Sequence, residues 1–145
     1  MNMSPEEYDK LAKKASPNSP FLKNLISAFL IGGGICALGQ GFLLWYQRLG
    51  IDRDTASAWA SITLVFLSIL LTGLDLYDSI AKVAGAGTLV PITGFANSMS
   101  SAAIEFKSEG WVLGLGAKMF IIAGPVIVYG VSASVIYGIL YYIFG

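Results

Sequence analysis

Residues 85–109 read GAGTLVPITGFANSMSSAAIEFKSE, a stretch rich in glycine, serine and threonine between strongly apolar segments. On a helix that starts at Gly94, polar residues recur three and four positions apart and form one stripe. The stripe comprises Gly94, Asn97, Ser98, Ser101, Glu105 and Ser108, and the opposite face carries Phe95, Met99, Ala102 and Phe106. Inside a membrane, such a helix needs lipid or protein on one side and water, ions or a polar solute on the other. This stretch is therefore our main indication of function.

The composition around this stretch indicates an integral membrane protein. Of the 145 residues, 55% are hydrophobic and 12% are charged, whereas about 25% are charged in an ordinary soluble domain. The windows 24–47, 55–74, 83–104 and 119–145 carry no Asp, Glu, Lys or Arg. Each is long enough to cross the ~30 Å hydrocarbon core, which takes about 20 residues of helix. We therefore expect an all-α integral membrane protein.

The remaining composition argues against several function classes. A net charge of zero provides no global basic field for nucleic acid. Without histidine the chain lacks the commonest metal ligand and proton shuttle. It also lacks a motif typical of an enzyme nucleophile. We therefore expect neither an enzymatic activity nor a cofactor. The single cysteine, Cys36, precludes an intrachain disulfide. Asp75 and Asp78, three positions apart on one face, are weak candidates for a divalent-cation site, and two solvated carboxylates are the alternative.

Residues 1–20 are predicted to form a cytoplasmic amphipathic lead, separate from a single transmembrane domain over 21–145. Ser4 and Glu7 have the spacing of a capping box, with Pro5 at the first helical position. The helix is expected to end before Pro17. The polar, acidic start is not that of a cleavable signal peptide. The lead either lies on the lipid headgroups or provides a docking surface for a partner.

Two spans are predicted before the central stretch, over 21–47 and 56–76. Asp54 or Thr55 is expected to cap the second of these helices. A row of small residues in the first span would allow another helix to approach closely. That row consists of Gly33, Ala37 and Gly41.

The segment 83–104 is predicted to be interrupted. Its flexible hinge would consist of Gly85, Gly87, Pro91 and Gly94, with Thr93 as the cap of a half-helix that begins near Gly94. Irregular backbone at membrane depth survives only where protein or a water-lined cavity satisfies it. Gly/Pro-interrupted hydrophobic segments also indicate transport sites. The amides at the start of the half-helix would suit an anionic solute.

The last apolar region, 111–145, would measure about 52 Å as one straight helix, too long for a bilayer at the usual tilts of about 0 to 40°. We therefore predict a break at Gly124-Pro125, which divides it into a short segment, 111–123, and a full span, 125–144. The full span carries a second row of small residues: Gly130, Ser134 and Gly138. Lys118 would either extend to the membrane surface or face a solute pathway.

The positive-inside rule favours a cytoplasmic N-terminus, because four lysines, Lys10, Lys13, Lys14 and Lys23, lie before or at the start of the first span. If 83–104 enters and leaves on the same side, seven cations lie inside and two outside. If it crosses, the distribution is five against four. We therefore expect three full transmembrane helices, a re-entrant Gly/Pro-interrupted segment and an outward C-terminus.

The central stretch from Gly85 to Gly110 closely resembles the SpoVA family of sporulation membrane proteins from endospore-forming bacteria, in particular its AC branch. The similarity extends to AFLIGGGICALGQ at 28–40 and AGPVIVYG at 123–130. The resemblance implies a subunit of the inner spore-membrane assembly that moves dipicolinic acid with calcium during sporulation and germination. It also implies tension gating, and association with other SpoVA-type subunits or with itself in the bilayer.

Two readings of the polar stripe follow. In the first, the chain is a channel or transporter subunit in which Asn97, Ser98, Ser101 and Glu105 line the pathway and Lys107 or Lys118 attracts the anion. In the second, the same small and polar residues serve close helix packing, and the chain is a non-conducting scaffold subunit of the membrane complex.

Overall fold

A computed structural model describes residues 4–15 and 20–145, and this part of the chain is helical with no strand. The helices are α1 (Pro5–Ala15), α2 (Phe21–Arg48), α3 (Arg53–Gly73), α4 (Leu76–Ala84), α5 (Pro91–Glu105) and α6 (Ala117–Phe144). Single turns of 3₁₀ helix follow α4 (Gly85–Thr88) and α5 (Lys107–Glu109), and a π-helical turn (Trp111–Gly116) leads into α6. The all-α prediction is confirmed.

The predicted capping box forms at the start of α1. The Ser4 amide donates to Glu7 Oε2 at 3.0 Å, and the Glu7 amide donates to Ser4 Oγ at 3.2 Å. Two of the amides that an α-helix leaves without partners are thus satisfied. The helix ends at Ala15; Pro17 lies outside the described residues.

Three helical runs of the described chain are long and apolar enough to cross a membrane: Phe21–Arg48, Arg53–Gly73 and Trp111–Phe144. Together with the interrupted segment between the second and third, they match the predicted architecture. Helix α5 has 15 residues, fewer than the roughly 20 that a span requires. The segment therefore adds a fourth hydrophobic element without adding a fourth full span.

The predicted break at Gly124-Pro125 is wrong, because α6 continues through Pro125. A membrane helix tolerates an internal proline when neighbouring groups and local adjustments satisfy the freed carbonyl. The length argument also treated the whole apolar run as one straight α-helix. Its first six residues instead form the π-helical turn, where Gly114 is buried against Phe106 and Glu109, and α6 itself has 28 residues.

The second span begins and ends earlier than predicted. Asp52, not Asp54 or Thr55, caps α3 by accepting a hydrogen bond from the Thr55 amide at 3.0 Å. This bond lowers the pKa of the Asp52 carboxyl. The helix ends at Gly73, and Asp75 adopts a left-handed conformation with φ 58° before α4 begins. Asp75 and Asp78 therefore do not lie on one helical face.

Helices α2 and α3 pack along a seam of small residues. Ala56, Ala60, Leu64 and Ser68, each four positions apart, form the buried face of α3. A Cβ added to Gly39 of α2 would lie 3.1 Å from Leu64 Cδ1. The Tyr46 hydroxyl also lies 2.8 Å from Thr63 Oγ1. Because only residues 49–52 connect α2 and α3, the two helices are antiparallel neighbours at close range.

The two predicted rows of small residues face outward in this chain. A Cβ added to Gly33, Gly41, Gly130 or Gly138 would meet nothing within 4 Å, and Ala37 and Ser134 are exposed. The packing role assigned to these rows stays a prediction about contacts with other chains. On α2, the close approaches are made by Gly32 and Gly39.

Candidate functional site: a re-entrant helical pair

The interruption of the central segment is built from a glycine turn and a proline start. Helix α4 ends at Ala84, and the next residue, Gly85, has φ 53° and ψ −122°, a conformation that L side chains rarely adopt. The chain then makes one 3₁₀ turn and begins α5 with Pro91 at its first positions. The predicted start at Gly94 with a Thr93 cap is wrong, because proline's fixed φ and missing N–H suit the first helical position.

Two hydrogen bonds between α3 and α5 fix the direction of α5. Ser68 Oγ donates to the Thr93 carbonyl at 2.7 Å, and Thr72 Oγ1 donates to Asn97 Oδ1 at 2.8 Å. Because both partners advance by four residues in the same sense, α5 runs parallel to α3. Helix α4 starts just after α3 ends. The pair α4–α5 therefore enters and leaves at the same end of the bundle, as a re-entrant segment does.

The turn is packed tightly against α2. A Cβ added to Gly87 would lie 2.6 Å from the Ala28 carbonyl oxygen, and one added to Gly32 would lie 3.1 Å from the Gly87 carbonyl oxygen. Ser27 Oγ also donates to the Val83 carbonyl at 2.6 Å. Gly87 therefore allows the turn to pack closely against α2, which differs from the flexible hinge predicted from the sequence.

Buried hydroxyl groups hold the same turn from its other side. The Tyr77 hydroxyl donates to the Thr88 carbonyl at 3.0 Å, and Thr88 Oγ1 donates to the Gly85 carbonyl at 3.0 Å. A Cβ added to Gly94 would lie 2.9 Å from that Thr88 carbonyl oxygen. Each bond satisfies a backbone carbonyl that the interrupted helix leaves free.

Sequence reasoning missed the residues that hold the break: Ser27, Ser68, Thr72 and Tyr77. One signal was available, because Ser68 and Thr72 are four apart in an apolar helix and so share a face. Polar groups on one face of a membrane helix find partners on neighbouring helices.

The predicted polar stripe is divided among three environments. Asn97 is turned toward α3. Ser98 donates to its own helix at Phe95, Ser101 donates to the Ser98 carbonyl, and Glu105 is exposed as the last residue of α5. Ser108 lies beyond the helix, in the following turn. These assignments describe one chain and leave the pathway role as a prediction.

The charged residues near this site occupy its ends. Lys107 is exposed in the turn after α5, and Lys118 Nζ lies 4.4 Å from the centroid of the Phe106 ring, a cation–π distance. Lys82 and Asp78 form an exposed pair at 2.7 Å. Among the residues that the structure describes, no group of three or more His, Cys, Asp or Glu side chains could hold a metal ion.

Two apolar recesses border α5 of the re-entrant pair. A groove of about 740 Å³ lies between α3, α5 and α6 and is bordered by Gly94 and Ser98. A more enclosed cavity of about 450 Å³ lies between α2, α3 and α4. Apolar side chains form most of the walls of both.

These features define a membrane protein with three spans and a re-entrant pair of half-helices. The model of the SpoVAC/SpoVAEB sporulation membrane protein family matches residues 24–140. The chain is also 48% identical over 140 residues to stage V sporulation protein AC of Bacillus subtilis (strain 168), covering 96% of this chain and 93% of that protein. No solved structure matches the chain. The chain therefore belongs to the SpoVAC/SpoVAEB family of sporulation membrane proteins.

Proposed function

We propose that this protein is a subunit of the channel or transporter that moves dipicolinic acid with calcium across the inner spore membrane during sporulation and germination. The observation that carries the proposal is the interrupted backbone at Gly85–Val90 within an apolar bundle. Such interruptions are tolerated where they are buried in protein or line a cavity, and they mark substrate sites in transporters. The solute class in this proposal is the one that the resemblance to the SpoVA family implies.

The electrostatics of α5 suit an anionic solute. Its first turn contains no acidic residue, and Val90 at the N-cap has no side chain that could accept a hydrogen bond from the first amides. The positive end of the helix dipole is thus available to an anion. In this proposal Ser98, Ser101 and Glu105 face a path completed by a second subunit of the same family, with the N-terminus on the cytoplasmic, core side. Tension gating would act through the same interrupted segment.

Spores carrying Ser98→Leu or Glu105→Gln test this proposal. Ser98→Leu places a branched apolar group beside Gly94, and Glu105→Gln removes the charge at the end of α5. We expect both to change the dipicolinate content of mature spores or its release on germination, at unchanged protein level and complex assembly. The matched controls are Ser57→Leu, an exposed site on α3, and Glu109→Gln, an exposed site in the next turn.

A scaffold role is the second candidate. It is favoured by one observation: Asn97, Ser98 and Ser101 each already have a hydrogen-bond partner within this chain. If loading and release are normal in both variants, the scaffold role is supported and the pathway role is lost.

A further inference from the structure

The cavity of about 450 Å³ extends from the surface of the bundle to the interrupted segment. Its inner walls are almost inaccessible to solvent, with Leu64 at 8% and Ser68 at 1% exposure. Thr88 of the turn and Thr93 of α5 complete the inner end. Whatever occupies the cavity therefore touches the re-entrant pair directly.

The mouth of the cavity lies on the outer side of α2. Gly34 and Leu38 border it there, and Leu38 is 60% exposed. Ile80 of α4 borders it on the other side. Because α2 has no buried residue in this chain and is long and apolar enough to cross the membrane, its outer side is open to a bilayer around the single chain. The material that such a bilayer offers at the mouth is lipid.

The chemistry of the walls favours an apolar guest. The hydroxyls in the walls share one property, which is that each donates to a backbone carbonyl. They belong to Ser68, Tyr77, Thr88 and Thr93. An anion would find no free hydroxyl donor, and a buried water needs about two to four polar partners. An apolar guest leaves all of these bonds in place and finds mainly apolar side chains around it.

We infer that this cavity is a lipid site that takes one acyl chain of a bilayer phospholipid. Lipid tails are as apolar as leucine, so the hydrophobic effect favours neither location of the chain. The driving force is dispersion, because wall atoms around a void lack contact partners that an inserted chain supplies. The site shares no lining residue with the groove beside Gly94 and Ser98, and the inference does not depend on the proposed function.

Photo-crosslinking in vesicles tests the inference. The full chain is reconstituted into phosphatidylethanolamine and phosphatidylglycerol with a trace of phospholipid carrying a diazirine at the middle of one acyl chain. Peptide mass spectrometry then compares adducts at buried Leu64 with adducts at Phe66, which is 62% exposed. We expect substantial adduct formation at Leu64, since only a chain inside the cavity reaches it.

Adjacent glycines on α2 provide a variant and its control. Neither Gly33 nor Gly34 has anything within 4 Å of an added Cβ, but only Gly34 borders the cavity. Gly34→Leu fills the mouth, and we expect about a tenfold fall in the Leu64-to-Phe66 adduct ratio, equivalent to ~1.4 kcal/mol. Gly33→Leu should leave the ratio unchanged. If Gly34→Leu fails to fold, Leu38→Ala widens the mouth and should raise the ratio. Absence of Leu64 adducts in the unmodified chain, or equal ratios in all variants, would overturn the site; a second copy of the chain would then be the occupant to examine.

Discussion

Gly87 is required by space rather than by backbone angle. It is not one of the glycines with positive φ, yet an added Cβ would lie 2.6 Å from the Ala28 carbonyl oxygen and 2.8 Å from Ala28 Cα. Both are backbone atoms, so the turn or α2 must move. We expect Gly87→Ala to lower the free energy of unfolding by about 1–3 kcal/mol, the usual cost of overpacking. Thermal unfolding in detergent, followed by circular dichroism, measures it.

Gly33→Ala is the matched control for Gly87→Ala. The substitution is the same, but the new methyl group meets nothing within 4 Å. Alanine is favoured over glycine inside a helix by about 1 kcal/mol, so the midpoint temperature of thermal unfolding should stay the same or rise. A Gly87→Ala protein as stable as Gly33→Ala would show that the contact between the turn and α2 is loose.

At the scale of helices, composition and periodicity predicted which elements exist. Charge-free windows located the three spans, and Gly85 with Pro91 located the interruption. These signals are strong because helix formation in lipid tolerates few alternatives. The prediction was weaker at proline, because a proline can either start a helix or lie within one. Pro91 starts a helix, whereas Pro125 lies inside one, and the difference depends on which neighbours satisfy the freed backbone groups.

The contacts that hold the break could not be predicted from one sequence. The Tyr77 hydroxyl meets a main-chain carbonyl eleven positions away, and Ser27 meets one fifty-six positions away. Every residue has a main-chain carbonyl, so the sequence does not indicate which carbonyl accepts a given hydrogen bond. The polar stripe was visible for the opposite reason, because its residues repeat with the helical period.

The positive φ of Gly85 in the interrupted segment leads to a prediction about gating. Gly85→Ala adds no clash, since nothing lies within 4 Å, but it forces a side chain into φ 53°. Such strain costs about 1–3 kcal/mol and destabilises the packed turn. If this turn is the part that moves, patch recordings should show opening at lower membrane tension. Gly73→Ala, at another helix end with open space and no positive φ, should leave the threshold unchanged. An unchanged threshold in both variants would remove the turn from the gating proposal.

At the scale of the whole molecule, the helix directions place the loops in two groups. Helix α5 runs parallel to α3, and both α2–α3 and α5–α6 are antiparallel. At the start of α6, Lys118 lies over Phe106 just after α5, whereas Val126 further along α6 lines a groove with residues near the start of α5. The α3–α4 connection and the turn after α5 therefore lie at one end of the bundle, and the α2–α3 connection lies at the other. With three spans, the ends of the transmembrane domain lie on opposite sides.

Cysteine labelling tests this arrangement and the proposed orientation separately. In a Cys36→Ala background, Ser108→Cys reports the turn after α5, Ser79→Cys reports α4, and Asp54→Cys reports the start of α3; all three sites are exposed. With a membrane-impermeant maleimide, Ser108→Cys and Ser79→Cys should react from the same side and Asp54→Cys from the other. The lysines before α2 favour a cytoplasmic N-terminus, so the first two should react only after permeabilisation of right-side-out vesicles. Reaction of Ser108→Cys together with Asp54→Cys would mean that the interrupted segment crosses the membrane. If all three sites react from the side opposite to the expected one, the re-entrant fold stands and its orientation in the membrane is inverted. The reason is that helix packing decides which sites share a side, whereas the distribution of charge decides which side is cytoplasmic.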